Sequence, residues 1–354
     1  MLLGLTKAFP AAKVLCLWND DPERFSRDLV SETWFAKTPL RRHKAVALPL
    51  MPVSWRLGRQ AMADWAVVSS HAFAHHVKVH GSTGLAPKFV YVHSPARYIW
   101  APKLDSRGWA LPVRAASIPL RRIDRRRAQE PRAIAANSAF VQSRVRETWG
   151  RDAVVIHPPV DTERISQVSD WREFLESEEM RVIDALPTDF LLGASRFVPY
   201  KRLDLVIRAG QVAKLPVVLA GGGPGELELR QRAQDTNVDV RFVRYPSDAL
   251  LYALYQRAFC LVYPAVEDFG IIPVEAMAAG TPVLGMNTGG VSESVVDGRT
   301  GALVGDFGDV ELSAGLARIE RCERDQVKAR AQDFSTARFV EEVRAWVADG
   351  LEGN

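Results

Sequence analysis

At 354 residues, 47% of them hydrophobic and 25% charged, the chain is too ordinary in composition for a disordered or fibrous protein and long enough for two cores. A formal net charge of +4 excludes a uniformly polybasic or polyacidic chain. Cys16, Cys260 and Cys322 lie far apart and share no pair spacing, so they read as unpaired thiols of a reducing compartment, not as a disulfide framework or a zinc site. No apolar run reaches the ~18 residues of a membrane-spanning helix, and the start lacks a signal-peptide pattern; the expected location is the cytoplasm.

The chain opens on "MLLGLTKAFPAAK", which is helix-like, and reaches its first strand only at "VLCLW". A doubly wound domain ordinarily opens with a strand and a ligand-binding turn. Their absence raises the expectation of an upstream start or a truncated form. Short, continuously apolar strand candidates follow: "WAVVSS", "KFVYVHS", "RAIAANS" and "AVVIHPPV". A polar, acidic stretch at about residues 160–187 breaks the series, and "FLLGAS", "LPVVLAG", "DVRFV", "FCLVYP" and "TPVLGM" resume it. Between them lie helical stretches such as "KRLDLVIRAGQVAK" and "PSDALLYALYQRA". This alternation predicts an α/β, doubly wound fold in two domains, 1–160 and 185–334, with a terminal helix over 335–354 that crosses back to the first.

The chemistry gathers in the second domain. "LLGASRFVPYKRLDLVIRA" reads as strand, turn and helix, with Arg196 and Lys201 at the strand's carboxyl end. Two cations beside helix amides suit a diphosphate, or are merely solvated. Gly221, Gly222 and Gly223 follow a strand directly and either admit a ligand close to the backbone or only make a turn. In "VYPAVEDFGIIPVEAMAAGTPVLG", Glu267 precedes Glu275 with seven residues between them. Pro273 fits a first helical turn, Gly280 fits the residue past its end, and Glu275 is expected in the first turn, where the helix dipole favours an anion. Glu267 lies in the preceding loop and has no helical explanation; two carboxylates around one strand-to-helix turn can accept hydrogen bonds from a polyol. Gly289 and Gly290 mark another loop, and Asp297-Gly298 a turn.

In the first domain Arg114, Arg121, Arg122, Arg125, Arg126, Arg127 and Arg132 cluster. They read as a solvated helix face, with Leu120, Ile123 and Ala128 turned inward, or as a patch for an anionic membrane or a phosphorylated, lipid-linked acceptor. No recognition module accompanies the charge, so no nucleic acid partner is expected. Trp55, Trp65, Trp100 and Trp109 read mostly as core, with Trp100 placed to reach a site. His71, His75, His76 and His80 lack a neighbouring cysteine or acid and are read as no metal site. His93, at a strand end, reads on its own as a structural histidine.

"SRFVPYKRLD", "GGGPGE", "VYPAVEDFGIIPVEAMAAGTPVLG" and "GGVSESVVDGRTGALV" resemble, in this order, glycosyltransferase family 4, and "YVHSPARYIW", "ANSAFVQSRVRETWG" and "VVIHPPVD" resemble its N-terminal segments. The resemblance covers nearly the whole chain and implies the GT-B fold, two facing Rossmann-like domains with the site in their cleft. It implies a retaining, nucleotide-sugar-dependent hexosyltransferase of cell-surface polysaccharide or glycolipid assembly, with GDP-mannose the leading donor and a saccharide or lipid-linked acceptor. It implies Arg196 and Lys201 on the diphosphate, Glu267 on the transferred sugar, Glu275 on the ribose, the backbone of Phe269, Gly270, Ile271 and Ile272 along sugar and phosphates, and His93 in the cleft. No Asp-x-Asp metal clamp occurs, so no cofactor or metal is expected at the donor. The alternatives are a catalytically weak sugar-nucleotide-binding scaffold and another GT-B enzyme, such as an epimerase or a phosphorylase; no segment argues for the pyridoxal lysine of the last.

Overall fold

The computed structural model describes residues 1–23, 25, 28–42, 47–57, 61–71, 73–100 and 111–353; of residues 61, 98 and 111–116 it describes the backbone alone. Trp109, and the side chain of Arg114, therefore lie outside the described residues. The chain divides into two units, Met1–His157 with Phe339–Asn354, and Pro158–Arg338.

In the first unit the strands are β1 (Val14–Cys16), β2 (Val30–Glu32), β3 (Ala61–Met62), β4 (Ala66–Ser70), β5 (Val79–Gly81), β6 (Gly84–Leu85), β7 (Lys88–Val92), β8 (Ala133–Ala136) and β9 (Val154–Val155). β4, β7, β8 and β9 form a parallel sheet in that order, whereas among the described residues β1 pairs only with β2. The short pieces β2, β3, β5 and β6 carry no sequence signal strong enough to predict. Alternation along β7 splits the core into two layers. Phe89 and Tyr91 pack with Leu5 of the opening helix Leu2–Ala8 and with Phe339, Val343 and Trp346 of the closing helix Thr336–Glu352. Val90 and Val92 face the other way, toward Ala128, Val141, Val145 and Trp149. All four β7 residues are completely buried, which is why the strand reads as an unbroken apolar run.

In the second unit β10 (Leu191–Arg196), β11 (Val217–Gly222), β12 (Val240–Arg244), β13 (Cys260–Tyr263), β14 (Val283–Met286) and β15 (Gly301–Val304) form one parallel sheet, ordered β12-β11-β10-β13-β14-β15. The same two-layer logic holds: Leu191, Val217, Leu219, Cys260 and Val262 face one core, and Leu192, Val218, Ala220, Leu261 and Tyr263 the other. The acidic stretch after residue 160 folds into helices Thr162–Gln167 and Ser177–Asp184, the latter held at its start by a capping box between Glu176 and Glu179. Among the described residues no helix is long and apolar enough to cross a membrane.

Candidate active site

From β10 the chain winds outward through β11 and β12, then returns to β10's other side with β13 and winds outward again. β10 and β13 are thus the pair at which the winding reverses. Their carboxyl-end loops diverge, and an open α/β sheet leaves its crevice at such a point. The loop after β10 carries Arg196, a short turn over Pro199–Lys201 and the helix Asp204–Ala213; the loop after β13 carries Glu267 and leads into the helix Ile271–Ala278.

Two of the residues singled out from sequence meet here. Lys201 Nζ donates to Glu267 Oε1 at 2.6 Å. The lysine side chain is 8% exposed and the glutamate 21%. Tyr263 donates its hydroxyl to Glu267 Oε2, and burial together with the Glu267 charge holds that phenol well above its ordinary pKa, so it stays a donor. The ammonium also lies 5.5 Å from the ring centre of Tyr200 and 5.9 Å from that of Tyr263. Arg196 behaves differently: its side chain is at the surface and donates from Nη2 to the Tyr200 hydroxyl at 3.0 Å. One cation is buried and matched by a carboxylate, and the other stands exposed beside it along the same loop. Tyr200 and Tyr263 were not foreseen; a tyrosine closing an apolar strand is an ordinary core residue by pattern.

The glycines explain how the loops fit. A Cβ on Gly290 would sit 2.2 Å from Phe269 Cα, and one on Gly289, at φ +84°, would sit 2.9 Å from the Glu267 carbonyl oxygen. Gly290 N–H in turn donates to that carbonyl at 2.9 Å. The pair thus seats the Glu267–Phe269 loop against its neighbour. At the end of β11, a Cβ on Gly221 would lie 1.9 Å from Ser195 oxygen and one on Gly222 2.4 Å from the Tyr245 ring. Internal packing alone therefore demands glycine at 221, whereas at 222 the exposed Tyr245 ring could swing aside.

Gly270 (φ +93°) opens the helix Ile271–Ala278, so Glu275 is its fifth residue and not in the first turn as the sequence suggests. The glycine starts the helix two residues before Pro273, leaving the amides of Ile271, Ile272 and Val274 at the free end. Gly280 (φ +89°) closes it: its N–H bonds Met277 oxygen at 2.8 Å and that of Thr281 bonds Ala276 oxygen at 2.9 Å. Burial, and secondarily the charge of Asp248, push Glu275 up to about 7. Asp248 also lines a cavity of about 750 Å³, with Phe174, Glu179, Arg244 and Tyr245 among its other walls; nothing in the sequence tied Asp248 to Glu275.

His93 belongs to the first unit. It follows β7, its N–H bonds Ser70 oxygen at 3.1 Å, and its Nε2 lies 2.8 Å from Ser69 Oγ. Burial, then His71 and the chain's amino terminus, lower it to about 4, so the ring is neutral at physiological pH. Trp100 is tied down, its indole donating to Asp124 Oδ2 at 2.7 Å. The arginine-rich helix Leu111–Arg127 buries Ala128 just beyond its end and half-buries Leu120, but Ile123 points outward, 44% exposed, because Asp124 takes the inward position beside it. The histidines are corrected too: His76 Nε2 lies 3.2 Å from Asp124 Oδ1, an acid 48 positions away that no local spacing reveals.

Residues 177–335 match the family model described as Glycosyl transferases group 1. Over these residues the chain is similar to the group 1 glycosyl transferases. The alpha-1,3/1,6-mannosyltransferase alg-2 of Neurospora crassa is 29% identical over 262 residues, covering 59% of this chain and 55% of that protein. The GDP-mannose-dependent alpha-(1-6)-phosphatidylinositol monomannoside mannosyltransferase of Mycolicibacterium smegmatis is 33% identical over 222 residues, 58% of this chain and 55% of its own. The chain spans about half the length of the curated relatives it matches. Among solved structures, a Rickettsia africae glycosyltransferase superposes with a TM-score of 0.68 at 14% identity, over 99% of this chain and 93% of its own. The Anabaena protein HepE in complex with UDP-glucose gives 0.66 at 17% identity, over 98% and 94%. These establish the GT-B fold expected from the sequence, and the segment that matches the family model contains Arg196, Lys201, Glu267 and Glu275.

Proposed function

We propose that the protein is a retaining hexosyltransferase that moves a mannosyl group from GDP-mannose to a saccharide or lipid-linked acceptor in polysaccharide or glycolipid synthesis. The observation that carries this reading is the Lys201–Glu267–Tyr263 cluster at the reversal of the sheet, flanked by the free amides of the helix Ile271–Ala278. The names of the two mannosyltransferase relatives support a mannosyl group, and that of the Mycolicibacterium smegmatis enzyme supports GDP-mannose as its donor.

In this reading the diphosphate lies along the helix amides and between Arg196 and Lys201, which neutralise the charge growing on the leaving group as the sugar becomes oxocarbenium-like. Glu267, oriented by Lys201 and Tyr263, accepts from the sugar's hydroxyls. Glu275 accepts from the ribose diol, and the cavity walled by Tyr245 and Asp248 receives the base. The backbone at Gly221 and Gly222, and that from Phe269 to Ile272, lies against the donor. The acceptor attacks from the face the diphosphate leaves, keeping the anomeric configuration, and a phosphate oxygen takes its proton. The cations and amides do the work a metal clamp would do.

The reading also includes a peripheral hold on the cytoplasmic face of the membrane. The helix Leu111–Arg127 presents Ile118 and Ile123 to solvent beside exposed Arg122, Arg125 and Arg126, an apolar and cationic face suited to anionic headgroups.

Calorimetry against GDP-mannose, UDP-glucose and UDP-N-acetylglucosamine, without added metal, tests the donor. Binding of GDP-mannose that weakens in Glu275→Ala supports the proposal. A well-folded protein that binds none of the three overturns it.

A further inference from the structure

We propose that His75, His76 and Asp124 form a buried binding site for one divalent transition-metal ion of the zinc type. Each offers one ligand atom, and the three atoms lie within 4.8 Å of one another. His75 Nε2 and His76 Nε2 each stand 3.2 Å from Asp124 Oδ1. Ligands held at ~2.0–2.2 Å around a tetrahedral ion sit roughly 3.4 Å apart, so both nitrogen–oxygen edges are already close to the spacing an ion requires.

A plain hydrogen-bonded cluster accounts for these contacts less well. His75 Nε2, on a side chain 2% exposed, stands 3.2 Å from Asp124 Oδ1 without the alignment of a well-formed hydrogen bond, and buried nitrogens are rarely left so. The surroundings have the form of an outer ligand shell. Asp124 Oδ2 accepts from the indoles of Trp100 and Trp149, both at 2.7 Å, which leaves Oδ1 to ligate alone. Ser70 Oγ lies 3.1 Å from His75 Nδ1 and fixes that ring with Nε2 toward the centre. The nearby Lys88 ammonium is spent on the carbonyls of His75 and Val77 and on Glu130. With exposures of 2%, 2% and 0% the three ligands are sealed, so the ion is structural. It ties the turn Ala74–His76 to the helix Leu111–Arg127 and, through Trp149, to the helix Ala139–Trp149. Three protein ligands are one short of the four of an ordinary structural zinc site, so an enclosed water would have to complete the tetrahedron.

The test uses the full chain, purified without nickel resin, stripped with chelator and titrated with Co²⁺. One ion per chain with the intense visible bands of tetrahedral cobalt, displaced by Zn²⁺, and a melting temperature that rises with added Zn²⁺ support the site. The double variant His75→Gln/His76→Gln is expected to lose both signals. Should it fail to fold, Trp100→Phe removes only a donor to the outer oxygen and is expected to weaken Zn²⁺ about tenfold with unchanged circular dichroism. A folded, stripped wild type with no cobalt bands and no zinc-dependent melting overturns the proposal, as does undiminished binding in the folded double variant.

Discussion

Replacing Glu275 by glutamine keeps the shape of the side chain and removes a charge that the fold tolerates poorly. The carboxyl keeps its proton in the folded chain up to about pH 7, against 4.5 ordinarily, because it is buried and faces Asp248. Below 4.5 the folded and unfolded chains are both protonated and the site has no pH-dependent cost. As the pH rises from 4.5 the unfolded chain ionises first, stability falls, and the loss is complete above about 7. At about 1.4 kcal/mol per pH unit the gap amounts to about 3 kcal/mol. Tyr252 and Tyr255 are raised by burial first and by the Glu275 charge second, but both stay protonated in this range and add no slope. Glu275→Gln should therefore be close to neutral at pH 4.5 and stabilise Pro158–Arg338 by about 3 kcal/mol at pH 8, roughly 6–12 °C for a unit of that size. Thermal unfolding of both proteins at the two pH values measures this. An equal difference at pH 4.5 and pH 8, or a variant that melts lower at pH 8, would refute the reasoning. The proposed role gives the opposite sign for function. A carboxylate is the better acceptor for a diol, so donor affinity in the wild type should rise through pH 7, while the variant binds roughly 10- to 100-fold more weakly and without that rise.

Arg196→Ala should lower turnover roughly 10²–10³-fold, the scale of losing one charge-stabilising donor, with melting unchanged because the side chain is exposed; an unaltered steady-state rate rejects its role. Gly290→Ala should destabilise by several times the ~1 kcal/mol expected of Gly298→Ala, since the first forces a Cβ to 2.2 Å from backbone while the second meets only a φ of +73° in open space; equal denaturation midpoints would contradict this. In the helix Leu111–Arg127, exchanging Arg122, Arg125 and Arg126 for glutamine should lose about 1 kcal/mol of attraction each to phosphatidylserine vesicles, and Ile118→Ser with Ile123→Ser should weaken binding further. Sedimentation with vesicles at low salt reads both, and wild-type protein that stays in the supernatant removes the membrane from the reading.

The architecture was legible because buried parallel strands announce themselves: every apolar run singled out, from "VLCLW" to "TPVLGM", contains a strand. What escaped were strands too short or too small-sided to stand out, such as Ala61–Met62 and the glycine-led Gly301–Val304. Local rules also located the closing turn of the helix Ile271–Ala278, since Gly280 serves only its own neighbours there. They misjudged the helix start, where Gly270 and not the proline sets the first residue. Ile123 was misjudged for a related reason. Helical periodicity cannot know that an aspartate one position on is buried, when its partners are two histidines and two tryptophans elsewhere in the chain.

The residues of the site were visible singly, and their relation was not. Lys201 and Glu267 are 66 positions apart and meet because β13 returns to the free side of β10, a fact of topology that neither local sequence contains. That meeting changes the meaning of each. A lysine read from sequence as a cation waiting for phosphate is, in the folded chain, the partner of a carboxylate 2.6 Å away. Under the proposed function a donor entering here would join an existing ion pair, and Lys201 would divide its three N–H groups between Glu267 and the diphosphate. Held so, the ammonium is preorganised and needs little rearrangement as charge develops, which is where an electrostatic catalyst gains most. In the proposed role Arg196, exposed and hydrogen-bonded to Tyr200, is the cation left to follow the leaving group.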